Sequence, residues 1–151
     1  VMEVMNPLNS PLLFPHSGTF SANPVTMTAG LTAMSHFDEA AVEHVNGLAR
    51  RAVDGIGEAI AASGARACVT GGGSMLRVHI KEQPPRNYRE AYLDAEERKL
   101  IRVLLAHLFD AGIIAINTCT MCMSTVMGDE EVDTLIAMLG EGLDHVAQLQ
   151  R

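Results

Sequence analysis

Residues 64–80 read GARACVTGGGSMLRVHI, and within this stretch the periodicity of the chain changes. Before it, Val42, Val45, Leu48, Ala49, Ala52, Ile56 and Ile60 recur at spacings of three and four, the stripe of a helix with one buried face. That helix is expected to run from a cap at Asp38 to Ser63, with Gly64 in the usual stop position. After it, Leu76, Val78 and Ile80 alternate with Met75, Arg77 and His79, which is the two-residue period of a strand. ARACVT and SMLRVHI therefore read as two strands joined by the glycines between them. A bundle of helices alone is excluded.

The same patterns extend in both directions. YREAYLDAEERKLIRVLLAHLFDAG, residues 88–112, reads as one helix, acidic in its first half and stopped by Gly112. IIAIN (113–117) and MCMSTVM (121–127) read as two more short strands. GDEEVDTLIAMLGEGLDHVAQLQR (128–151) reads as a final helix. Its acids lie at the positive end of the helix dipole, and Val132, Leu135, Ile136, Leu139, Leu143 and Val146 form its buried stripe. Upstream, Pro7, Pro11 and Pro15 make residues 1–15 loop-like. Asn23 suits an N-cap and Pro24 a first helical position, opening a short helix with Met27, Leu31 and Met34 on one side. The expected fold is α+β: a small, mostly antiparallel sheet with helices on one face.

Composition narrows the functional classes. The chain has 151 residues, enough for one domain with its own core, and 48% of them are hydrophobic. Its net charge is −7 and its 11 Lys and Arg residues are scattered, which argues against a nucleic-acid surface. No apolar run approaches the roughly 18 residues a membrane helix needs, and no signal peptide is visible. Three cysteines are an odd count, so a reducing cytoplasm is expected rather than a disulfide framework. Aromatic residues make up only 4% while methionine reaches 9, so methionine fills gaps that rings otherwise fill. The sequence starts at Val1, which processing or a longer parent protein would each explain.

Several motifs carry little chemistry. Cys119 and Cys122 form a C-x-x-C, but a zinc site needs a second pair and only Cys68 remains. As a redox pair they should open a helix, yet they lie in a strand-like stretch, where positions three apart point to opposite faces. They are expected to be buried small residues, with no metal bound. TGGGS, residues 70–74, has no following lysine and is expected to be a hairpin turn. His16, His36, His44, His79, His107 and His145 form no metal-binding spacing and are expected at the surface or at helix ends. Glu96, Glu97, Arg98 and Lys99 read as a solvated helix face.

HSGTFSANP, residues 16–24, is different. Gly18 permits close backbone approach, Thr19 offers a hydroxyl, and a helix start would add N–H groups and a positive dipole end; together these suit a phosphate. A plain turn with an N-cap accounts for the same residues.

HSGTFSANPVTMTAGLTAM resembles the GT-x-S/N-x-NP segment of class III pyridoxal-phosphate aminotransferases, in particular the branch similar to glutamate-1-semialdehyde aminomutase. GSMLRVHI is similar to that branch's GSMF strand. LFDAGIIAI and MCMSTVMGDEEVDTLIAML are similar to its closing strands and last helix. Met127 and Gly128 depart from it, standing where a Leu-Ser and a His-Thr often precede the acidic helix start.

The resemblance implies residues 1–37 as a loop and crossover helix, and residues 38–151 as the C-terminal small domain of a fold type I enzyme. It implies that Gly18 and Thr19, assisted by Ser17, bind the phosphate of pyridoxal phosphate across a homodimer interface. It implies a small amino-acid or keto-acid substrate. The family's cofactor-bonding lysine, the aspartate at the pyridinium nitrogen and the ring-stacking aromatic would all precede residue 1, in a large N-terminal domain. Lys81 and Lys99 lack that lysine's context, so no catalytic residue is assigned and the chain alone is expected to be inactive. The expected activity of the whole is amino-group transfer, or its aminomutase variant. The alternative is a stand-alone α+β dimerisation or binding domain derived from the fold.

Overall fold

The computed structural model describes residues 2–6, 8 and 18–151 of the chain. These form two compact units, residues 1–38 and 39–151. In the first unit, Met2–Met5 make a short 3-10 turn and α1 spans Pro24–His36. Asn23 caps α1 as its sequence suggests: its side chain accepts from the amides of Val25 and Thr26. No residue of α1 is buried.

The second unit holds α2 (Glu39–Ser63), β1 (Cys68–Gly72), β2 (Met75–His79), α3 (Tyr88–Ala91), α4 (Ala95–Asp110), β3 (Thr120–Cys122) and α5 (Asp129–Leu149). The sheet is antiparallel in the order β1-β2-β3. The expected α+β class is therefore correct. Gly72 pairs with Met75 across the hairpin, and Gly73 takes the positive φ of 58° that the two-residue turn requires.

One sheet face carries Leu76 and Val78, which are 2% and 1% exposed and pack into the helical layer. Val45, Leu48, Ala52 and Ile56 of α2, Leu100, Leu104 and Leu108 of α4, and Val132, Leu139 and Leu143 of α5 complete that core. Helices α2 and α5 pack closely, as do α4 and α5. Glycines set the separation. A Cβ at Gly55 would lie 2.5 Å from Ile136 Cδ1, and one at Gly142 would lie 2.6 Å from Leu104 Cδ1. The other sheet face carries Arg77, paired with Thr70 on one side and Thr120 on the other, and His79, paired with Cys68.

Three expectations are corrected. Residues 88–112 are not one helix: the chain breaks after α3 at Tyr92 and restarts at Ala95. Asp94 accepts from the Glu97 amide while Glu97 accepts from the Asp94 amide, a capping box that turns an apparent interior position into a start. Residues 113–117 form no strand. Ile113 and Ala115 pack on the core while Ile114 and Ile116 are exposed, so the alternation is real but no neighbouring strand receives it. Of residues 121–127, only 121 and 122 are in β3, because Cys122 pairs with Met75, the first residue of β2, and the antiparallel partner ends there at the hairpin turn. No helix among the described residues is long and apolar enough to cross a membrane.

Candidate functional site

Gly18 and Thr19 lie in a turn closed by the Ser21 amide donating to Gly18 O at 3.0 Å. Both are exposed. Ser17 lies outside the described residues. A Cβ at Gly18 would meet Ser21 Oγ at 2.9 Å, so the turn is tightest where the side chain is missing. Ala22 takes a left-handed φ of 55°, which a non-glycine residue rarely adopts, and this twist carries the chain from the turn into the helix cap.

The start of α1 does not offer the free N–H groups anticipated for it. Asn23 Oδ1 accepts from Val25 N at 3.0 Å and Thr26 N at 3.4 Å, Asn23 O accepts from Met27 N, and Pro24 has no N–H. The donors left at this segment include the Thr19 hydroxyl and the amides of Gly18 and Thr19, along with the amides of Phe20 and Ala22 and the Ser21 hydroxyl, none of which makes a hydrogen bond among the described residues. The unpaired donors thus belong to the turn rather than to the helix end. The donor set suits a phosphate: two backbone amides beside a residue without a side chain, and one hydroxyl.

The cysteines divide. Cys119 is fully buried and Cys122 is exposed, so the expectation of two buried residues holds only for the first. Burial pushes the Cys119 thiol up to about 12. Cys122 Sγ lies 3.5 Å from Ser74 Oγ at the hairpin. Among the described residues, no three of His, Cys, Asp and Glu gather as a metal set.

His79 is a further correction. Expected at the surface or at a helix end, it lies in β2 and is 4% exposed, with Nε2 2.9 Å from Thr70 Oγ1 and, among the described residues, no partner at Nδ1. Burial, reinforced by the charges of Arg77 and Lys81, lowers it to about 4, so it is neutral at physiological pH. The lysines are engaged in ion pairs: Lys81 Nζ lies 2.6 Å from Glu97 Oε1 and Lys99 Nζ 3.6 Å from Glu96 Oε1. Glu97 therefore belongs to a half-buried pair and cap, not to a solvated face.

An open apolar groove of about 740 Å³ lies along β3 and the start of α5, lined by Ile113, Ile114, Met121, Met123, Met127 and Leu135 among others.

No family model matches the chain. It is similar to a glutamate-1-semialdehyde 2,1-aminomutase from Sorangium cellulosum, at 34% identity over 60% of this chain and 20% of that protein. An omega-transaminase structure from Sphaerobacter thermophilus superposes with a TM-score of 0.81 at 35% identity, covering 97% of this chain and 33% of that one. A transaminase structure with PLP bound superposes with a TM-score of 0.75 at 27% identity, again over 97% of this chain and 33% of that one. The likeness to aminotransferases and aminomutases anticipated from the sequence is borne out. The matches reach only 20% to 34% of the length of the curated relatives.

Proposed function

We propose that the chain is the C-terminal part of a pyridoxal-phosphate-dependent aminotransferase or aminomutase, and that its turn at Gly18 and Thr19 holds the cofactor's phosphate. The observation that carries this is the set of free donors at Gly18 and Thr19, within a segment that resembles the family's phosphate-binding one. When bound, the cofactor supplies the electron sink for amino-group chemistry.

The residues of this chain bind and orient. Thr19 Oγ1 donates to a phosphate oxygen, and Gly18 lets the backbone amides approach it. Ser17 assists, by the same resemblance. Asn23 fixes the start of α1 and so the position of the turn. The second unit is the small domain that would accompany a large domain carrying the bonding lysine; the substrate would be a small amino acid or keto acid. The whole would be a cytoplasmic homodimer in which the turn of each subunit reaches the other's site. The apolar side chains left exposed beside the turn, among them Phe20, Met27, Leu31 and Met34, support such an interface.

The test is Thr19→Val in the complete enzyme. The exposed site tolerates the change of shape, and loss of one bond to a charged group should weaken cofactor retention by about 1.5–3 kcal/mol. Unchanged retention would overturn the assignment. A parent gene with no upstream large domain would favour a stand-alone binding domain instead.

A further inference from the structure

A second pocket, of about 390 Å³, opens between the polar sheet face and the helices that follow it. Four separate segments build it. Arg77 comes from β2, Tyr88 and Tyr92 from α3 and its end, Arg98 and Arg102 from one face of α4, and Asn117 and Thr118 from the turn before β3. Three arginines thus line one pocket in a chain whose net charge is −7. Among the described residues, no Asp or Glu lines the pocket.

Among the described residues, these guanidiniums have no anionic partner: neither Arg77, Arg98 nor Arg102 makes an ion pair. Arg98 donates to the Leu93 carbonyl at 2.6 Å and lies 5.7 Å from the centre of the Tyr92 ring, so it is held in place without its charge being neutralised. Arg77 Nε is buried with no hydrogen-bond partner. A buried donor of this kind is costly unless a ligand meets it. The two tyrosines, with ring centres 6.3 Å apart, and the side chains of Leu93 and Ile101 supply flat and apolar wall.

From this arrangement we infer that the pocket binds a small anion, carrying a carboxylate or phosphate group on a compact apolar body. Guanidinium forks match the paired oxygens of either group, and the volume lies in the range of small-molecule sites. Asn117 and Thr118 add neutral polar groups at the rim. The inference stands apart from the turn at Gly18 and Thr19 and does not depend on that assignment.

The chain reports on this site directly. Its only two tyrosines line the pocket and it has no tryptophan, so its intrinsic fluorescence arises there. Inorganic phosphate titrated at low ionic strength and followed by tyrosine fluorescence, and benzoate followed by calorimetry, separate the two anion chemistries. At least one should bind saturably with one site per chain, and neutral benzamide should not. Arg102→Gln and Arg77→Gln should each weaken that binding about tenfold, the loss of one charged bond. Lys99→Gln removes an equal charge outside the pocket and should leave binding unchanged. If Arg77→Gln fails to fold by circular dichroism, Arg102→Gln decides alone. Binding of neither anion, equal binding of benzamide, insensitivity to the arginine changes or an equal effect of Lys99→Gln would each overturn the inference.

Discussion

Gly142 on α5 faces Leu104 on α4 so closely that a Cβ added to the glycine would lie 2.6 Å from Leu104 Cδ1 and 3.0 Å from His107 Cδ2. Leu104 is fully buried and cannot swing into solvent. Gly142→Ala should therefore force the two helices apart, even though alanine is the better helix former. A loss of about 1–3 kcal/mol is expected by urea unfolding. At Gly140 on the same helix, the Cβ would meet Ala59 Cβ at 3.6 Å, an ordinary contact, and Gly140→Ala should be neutral or stabilising. If both changes behave alike, close approach is not what the glycine at 142 provides.

The switch of period across residues 64–80 reports backbone geometry directly, which is why the hairpin and the flanking α2 could be read from it. The pattern fails where exposure and pairing part company. Residues 113–116 alternate as a strand does, with Ile114 84% exposed, yet pair with nothing. Cys119 bends the chain at a positive φ that no non-glycine residue announces. The restart at Ala95 did have a signal, since Asp94 followed three residues later by Glu97 is a capping pattern hidden inside a helix-forming run. At the candidate site the glycine, threonine and cap were legible. What escaped was that Asn23 takes the very amides a helix start would offer an anion. The arginine pocket was invisible because its residues meet only through the fold.

The thiols should separate by reactivity. Cys122 is exposed, Cys68 is half-buried with its thiol raised by burial, and Cys119 is fully buried at about 12. An alkylating reagent near neutral pH should modify Cys122 first and Cys119 only on unfolding. Peptide mass mapping over time gives the order. Early modification of Cys119, or a disulfide joining it to Cys122, would contradict the separation the structure gives them.

Both lysines are engaged with glutamates, Lys81 in a pair whose side chains are each only 20% exposed. Both lysines belong to the second unit, and the turn at Gly18 and Thr19 belongs to the first. Borohydride treatment of the chain with pyridoxal phosphate should therefore give only slow, unsaturable labelling at the lysines and the amino terminus. Amino-transfer activity should be absent. A saturable modification at Lys81 or Lys99 would show that the chain forms a cofactor site unaided.

His79, buried and hydrogen-bonded to the half-buried Thr70, has an effect on stability that depends on pH. The folded protein holds His79 at about 4, against 6.5 for the free side chain, because burial and the charges of Arg77 and Lys81 oppose its protonation. Between those values the unfolded chain binds a proton that the folded chain does not. The neutral ring's contribution is therefore fully present above about pH 6.5 and is lost as the pH falls toward 4. At 1.36 kcal/mol per unit, the loss amounts to about 3 kcal/mol. Glu90 and Glu131, held low by their hydrogen bonds to Arg86 and to the Gly128 amide, add a loss of the same sign at the acid end. A substitution isolates the histidine. His79→Gln keeps a polar group for Thr70 and does not titrate, so its unfolding free energy should change less between pH 6.5 and 5 than that of the unaltered protein. Denaturant titrations across that window measure the difference. Equal slopes for the two proteins would mean that His79 is protonated, or hydrated, in the folded state.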